Sequence, residues 1–235
     1  MKFQKTGIFY ILGLVALIVF QSFTPDKLMK NNSGEWKVLF DGKTTKGWHN
    51  YNKKDVSKGW KAANGVLELA EKNAGDLLTD GEFENFEFQL EWKISEGGNS
   101  GIMYLVEEGE QYKTPWLTGP EMQILDNDKH PDAKLGKDEN RKAGSLYDLI
   151  PSKATPNAVG EWNKVKIVIN NGKVEHWFND KKVVSYDLNS AVFIDLVKES
   201  KFVSMPDYAK FRKGHIALQD HGDKVWFRNI KIKNL

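Results

Sequence analysis

From Trp36 onward the chain alternates between apolar and polar positions almost without a break. WKVLF (36–40), GVLEL (65–69), FENFEFQLEWKI (83–94), GIMYLV (101–106) and EMQIL (121–125) have the period of two that strands require. NKVKIVIN (163–170), KVEHWFN (173–179), KKVVSY (181–186), GHIALQD (214–220) and VWFRNIKI (225–232) add β-branched and aromatic content. Turn signals separate them: Asn64-Gly65, GGNSG at 97–101, NNG at 170–172, Asn179-Asp180 and HGD at 221–223. Many short strands joined by turns, with no long amphipathic helix, predict an all-β fold, a two-sheet β-sandwich or jelly roll. SAVFIDLVKESKF (190–202) is open between a short helix and an irregular excursion.

Strand parity sorts the polar residues, because neighbours along a strand point to opposite faces. Met122 and Ile124 make one face apolar and leave Glu121 and Gln123 on the other. Ile216 and Leu218 likewise set His215, Ala217, Gln219 and His221 on the opposite side. Gln89 and Glu91 oppose Phe88, Leu90 and Trp92. If these three strands are neighbours, amides, carboxylates and imidazoles share one surface. Every antiparallel sheet has a wet face, but one made of Gln, His and Ala rather than Lys, Thr and Ser points to a ligand.

The 235 residues begin with a segment of different character. Lys2 and Lys5 precede a 13-residue apolar run, Ile8–Phe20, short of the roughly 20 residues that cross a bilayer as a helix. Residues 1–23 are therefore expected to be an export signal, with an uncleaved anchor as the alternative because Phe20-Gln21-Ser22 does not fit the A-x-A pattern of a cleavage site. Membrane contact is expected only through that segment. Residues 24–33 form a polar linker, and 34–235 form one domain. There is no cysteine, so neither a disulfide nor a lipid-modified cysteine can form, and a periplasmic or extracellular bacterial protein held together by its core is expected. Of 34 basic and 32 acidic residues, removal of Lys2 and Lys5 leaves 32 of each. A neutral domain without a basic block gives no reason to expect nucleic acid. The 8 Trp, 13 Phe and 7 Tyr suit a β core or a sugar-stacking surface.

The densest candidate chemistry is EMQILDNDKHPDAKLG (121–136). Asp126, Asp128, His130 and Asp132 recur at every second position and could ligate a divalent metal. They lack an EF-hand glycine and paired zinc-type histidines, so on spacing alone a solvated acidic loop is the favoured reading over a metal site. Retaining hydrolysis by two carboxylates is disfavoured because the second outward position of the strand is Gln123, which is no nucleophile. No nucleophile elbow or phosphate loop occurs. His176 in VEHWF is open between a structural and a site role. Arg141 is open between holding a ligand and tethering its loop.

The run 121–151, with GGNSGIMY (97–104), VGEWNKVKIVINNGKVEHWFN (159–179), GHIALQDHGDKVWFRNIKIKNL (214–235) and the opening WKVLFDGKTTKGWHN (36–50), resembles the 3-keto-disaccharide hydrolase domain family. The resemblance spans about residues 34–235. It implies a concanavalin-like lectin/glucanase sandwich and a small carbohydrate as partner, a glycoside already oxidised to a ketone at C3. It also implies C2 proton abstraction, β-elimination and hydration, which need no second carboxylate. Carried over residue by residue, it implies acid/base or metal-binding roles for Glu121 and His221, and sugar contacts by Gln123, Gln219, Asn99, Arg141 and Tyr147. Asp126 and His130 become possible metal ligands. No cofactor is required, although a divalent metal would suit the chemistry. Where many relatives have an arginine shortly after the NSGI turn, this chain has Tyr104, Leu105 and Val106. A non-catalytic carbohydrate-binding sandwich and a conventional glycan hydrolase are the competing expectations.

Overall fold

The computed structural model describes residues 1–3 and 34–235. The apolar run Ile8–Phe20, the export signal assigned to it and the linker 24–33 lie outside the described residues. Among the described residues no helix is long and apolar enough to cross a membrane.

Two antiparallel sheets form a sandwich. The larger contains β1 (Lys37–Val38), β3 (Trp60–Ala63), β4 (Val66–Leu69), β6 (Phe86–Ile94), β9 (Asn163–Asn170), β10 (Lys173–Phe178), β11 (Lys181–Asp187) and β13 (Val225–Asn234). Its order is β11-β10-β9-β6-β13-β4-β3, with β1 also pairing with β13. The smaller, in the order β2-β5-β12-β7-β8, contains β2 (Trp48–Asn50), β5 (Leu77–Thr79), β7 (Asn99–Val106), β8 (Glu121–Leu125) and β12 (His215–Leu218).

Strands β2, β3 and β5 were not expected. WHN, WKAA and LLT are too short to display alternation, and tertiary pairing makes them strands. The segment after β11 resolves as a helix, α1 (Ala191–Lys198), with the Ser190 hydroxyl accepting from the Phe193 amide as its N-cap.

Alternation in β6 sends Phe86, Phe88, Leu90, Trp92 and Ile94 into the core. They share one apolar cluster with Ile102, Tyr104, Met122, Ile124, Ile216 and Leu218 of the smaller sheet. Its outward partners form ion pairs on the far face of the larger sheet, Glu87 with Lys233 and Glu91 with Arg228. Gln89 and Glu91 therefore do not join the residues of β8 and β12: the parity was right, but β6 belongs to the other sheet.

Both faces of β7 and β8 are buried, so loops cover the smaller sheet from outside. The loop after β8 doubles back, and the Gly144 amide donates to the Gln123 carbonyl while the Gln123 and Tyr147 amides donate to Ser145 and Glu121. It lies along the free edge of β8 like a further short strand.

Candidate active site

Three central strands of the smaller sheet build one floor. In the register of β7 with β8, Gly101 pairs with Gln123 and Met103 with Glu121. On the other side Ala217 pairs with Met103, and the Gln219 amide donates to the Gly101 carbonyl at 2.9 Å. Gln123, Gly101 and Gln219 thus form one row across the sheet, with Glu121, Met103 and Ala217 in the next. Asn99 lies one step further along β7.

The glycine in the middle is required by contact. A Cβ at Gly101 would stand 1.9 Å from Glu121 Oε1 and 2.6 Å from its carboxyl carbon. The carboxyl group of Glu121 therefore lies over Gly101, in the space a larger residue would fill.

This floor opens into a pocket of about 370 Å³, walled by Trp116, Tyr147, Lys201, Phe202, Met205 and His221. Three buried amide oxygens, Asn99 Oδ1, Gln123 Oε1 and Gln219 Oε1, have no protein partner, and all three residues line this pocket. A buried polar atom left unpaired costs about 1–3 kcal/mol, so three together mark a surface made for a hydroxyl-rich ligand. Glu121 is only 7% exposed, and no protein donor reaches its carboxyl oxygens among the described residues. Burial pushes its pKa up to about 8, against the pull of Lys201. Asp220 also lines the pocket, but its two oxygens accept from the Gly75 and Gly222 amides.

The walls come from loops. Tyr147 donates its hydroxyl to Asp132 Oδ2 at 2.9 Å, and burial raises its pKa. Arg141 donates to Asp132 Oδ1 and Asp148 Oδ1 and does not line the pocket. These ion pairs brace the loop that presents Tyr147.

At one end, His130, His221 and Asp223 bring ligand-type atoms within 4.8 Å of one another, with the His130 and His221 rings edge to face at 5.7 Å. Two imidazoles and one carboxylate suit a divalent transition metal, and the Asp223 carboxylate also accepts from the Asn99 backbone N–H at 3.1 Å. Against that fit, His130 Nδ1 already accepts from the Asp132 amide at 3.2 Å. Asp126 stands outside this group. Its oxygens accept from the Gly97, Asp128 and Lys129 amides, so it folds the loop, and the geometry substitutes Asp223 for it among possible ligands.

His176 is structural. It is fully buried, exchanges hydrogen bonds with the Tyr104 hydroxyl and the Gly144 carbonyl, and has a pKa lowered to about 4 by burial. Tyr104, one of the three residues after the NSGI turn, points into the core and also contacts the Tyr186 hydroxyl. Sequence reasoning missed Trp116, Lys201, Phe202 and Met205, because parity orders strands and says nothing about which loops fold over them. Asp223 carried a usable signal, two residues beyond His221.

The two-sheet antiparallel sandwich has the lectin/glucanase type of fold, with this acid-bearing, amide-floored pocket on the covered face of its smaller sheet. More specifically, residues 35–233 match the 3-keto-alpha-glucoside-1,2-lyase-like domain family, and the chain belongs to it. It is 43% identical over 226 residues to the 3-keto-disaccharide hydrolase of Bacteroides thetaiotaomicron, covering 84% of this chain and 78% of that protein. A crystal structure of a candidate glycosyl hydrolase from Parabacteroides distasonis ATCC 8503 superposes with TM-score 0.78 at 36% identity, over 85% of this chain and 94% of that one. A second candidate glycosyl hydrolase from the same organism gives TM-score 0.64 at 26% identity, over 86% and 100% of the two chains.

Proposed function

We propose that the protein is an exported enzyme that hydrolyses glycosides bearing a ketone at C3, through elimination followed by hydration. The observation that carries this is Glu121: one buried carboxyl group, free of protein donors, above a glycine and between two unpaired glutamines. A two-carboxylate glycosidase needs a second acid, and the Asp220 oxygens are committed to backbone amides. Elimination needs only a base that can reach C2–H and groups that stabilise charge on oxygen. The 3-keto-disaccharide hydrolase activity named for the relative agrees with this substrate class.

In this mechanism Glu121, ionised, takes the C2 proton. The C2–H electrons become the C2=C3 bond, and the ketone π pair moves onto oxygen. Collapse of the enolate forms the C1=C2 enone and expels the C1 oxygen, to which His221 at the pocket mouth gives a proton. Water then adds its oxygen to C1 and a proton to C2, so the sum is hydrolysis. Gln123, Gln219 and Asn99 hold the ring hydroxyls. Were a divalent cation held by His130, His221 and Asp223, it would replace the His221 proton in stabilising charge on the leaving oxygen, because a metal-bound imidazole has no acidic proton to give.

The test compares release of the leaving group from a 3-keto-glucoside and from its unoxidised parent, for the wild type and Glu121→Gln. Cleavage of the keto compound alone, lost in the variant, is the expected result; equal cleavage of the parent overturns the mechanism. With a pKa near 8, a Glu121 base makes kcat/KM rise with pH towards that value, whereas a Glu121 acid would make it fall. Metal analysis before and after chelation tests the cation. N-terminal sequencing of protein from cell fractions tests export.

A further inference from the structure

The proposed reaction leaves one position unassigned, the group facing the ketone oxygen as it becomes an enolate. C1, C2 and C3 are consecutive, so a base centred under C2 has the leaving oxygen on one side and the ketone on the other. His221 and Asn99 lie at one end of the floor. Beside Glu121 stand Tyr147, whose backbone amide donates to the Glu121 carbonyl, and Lys201, whose ammonium lies against the Tyr147 ring.

Lys201 reaches this place by a definite route. It opens the short 3-10 turn Lys201–Ser204, which is capped by the Ser200 hydroxyl and follows α1 in the excursion between β11 and β12. Phe202 is buried and stacks on Tyr208 at 4.0 Å, anchoring the turn. The ammonium then sits 4.2 Å from the centroid of the Tyr147 ring and 3.7 Å from Asp148 Oδ2. That carboxylate is shared, because its other oxygen accepts from Arg141 Nε. Two cations, Arg141 and Lys201, thus meet Asp132 and Asp148, and Lys201 has no carboxylate to itself. It keeps donor positions for the pocket it lines. Burial and the Arg141 charge both depress its pKa, while Asp148 and Glu121 oppose them. A partly desolvated ammonium aimed at developing negative charge is the kind of group that stabilises an oxyanion strongly.

We infer that Lys201 is a catalytic residue whose ammonium binds the substrate's C3 oxygen and stabilises the enolate formed when Glu121 removes the C2 proton. This rests on the elimination reading above and assigns the electrophile within it. The proton passes from C2 to the Glu121 carboxylate; the ketone oxygen gains the electron pair; Lys201 donates a hydrogen bond and keeps its proton.

The experiment isolates that step. A 1,5-anhydro-3-keto-hexitol lacks the glycosidic oxygen at C1, so in D₂O the enzyme can abstract its C2 proton without expelling an aglycone, and deuterium entering at C2 is read by proton NMR. The wild type is expected to exchange. Lys201→Met, shown to be folded by urea denaturation, should exchange about 10²–10³-fold more slowly, and Lys201→Arg should recover part of the rate. In the methionine variant, the pH at which exchange rises should also move upward, because Glu121 loses a neighbouring cation. That shift follows from the charge alone, so the deciding comparison is the rate above it, where Glu121 is ionised in both proteins and a Lys201 that only tuned Glu121 would leave exchange at the wild-type rate. Should Lys201→Met not fold, Lys201→Arg and Lys201→Gln carry the same comparison. A folded Lys201→Met that exchanges at the wild-type rate overturns the assignment while leaving the mechanism standing. Absence of exchange in a wild type that still cleaves 3-keto-glucosides overturns the elimination reading, and this inference with it.

Discussion

Replacing Glu121 by glutamine should stabilise the protein while abolishing its activity, and the gain should depend on pH. An unfolded Glu121 has the ordinary pKa of 4.5, whereas the folded one titrates at about 8. Between these values the unfolded state binds fewer protons than the native state, so stability falls as pH rises. At about 1.4 kcal/mol per pH unit, the 2.5 units between 4.5 and 7 remove about 3 kcal/mol at pH 7. The same reasoning gives less than about 1 kcal/mol at pH 5 and about 5 kcal/mol above pH 8. Glutamine is similar in shape and does not titrate, so Glu121→Gln should be more stable than the wild type by these amounts. Urea unfolding followed by tryptophan fluorescence at pH 5, 7 and 8.5 measures the difference, and a 3-keto-glucoside assay measures the activity. An advantage that is the same at all three pH values would show that Glu121 holds no extra proton in the native state, and would remove the argument for its tuned acidity.

Three other outcomes are expected. Gly101→Ala should lower kcat/KM on a 3-keto-glucoside by about 10²-fold, since misplacing a catalytic group by about 1 Å costs that much; full activity would mean that the Glu121 carboxyl is not seated there. Gln219→Leu should raise KM about tenfold through loss of one hydroxyl partner without lowering the Tm, because it also removes an unpaired buried oxygen; a large fall in Tm would contradict this. Burial lowers the pKa of His49, but Asp80 and Glu108, one on each ring nitrogen, outweigh it and hold the imidazole above its ordinary 6.5. That contribution is fully present below pH 6.5 and is lost as pH rises through the folded value. His49→Gln should therefore cost more stability in calorimetry at pH 5.5 than at pH 9, and an equal cost at both would refute the clamp.

Much of this was legible because a strand encodes its faces in its own residues. Met122 and Ile124 fixed Glu121 and Gln123 on one side, and Ile216 with Leu218 did the same for Gln219. What alternation could not encode was which strands pair. Gln89 and Glu91 have the same parity signature as the site residues but lie in the other sheet, since pairing is settled by long-range packing. WHN and LLT were invisible for a related reason, being strands only through their neighbours. The walls were the least legible part. Lys201 and Trp116 sit on short 3-10 turns with no periodic signature, and Asp126 stays a candidate ligand in the sequence because acidity alone does not say that three backbone amides will claim a carboxylate.

The doubling back of the loop after β8 also affects how the molecule keeps to itself. β8 is the last strand of its sheet, and an uncovered last strand invites pairing with another chain. Residues 144–147 take up the Glu121 and Gln123 backbone groups that would otherwise face outward, beside the apolar Met122 and Ile124. The segment that presents Tyr147 to substrate is thus also the guard of an adhesive border. Grafting a different loop here to change substrate preference would expose that border unless the new segment kept the Gly144, Ser145 and Tyr147 backbone pairing, and a graft without it should aggregate before its altered preference could be measured.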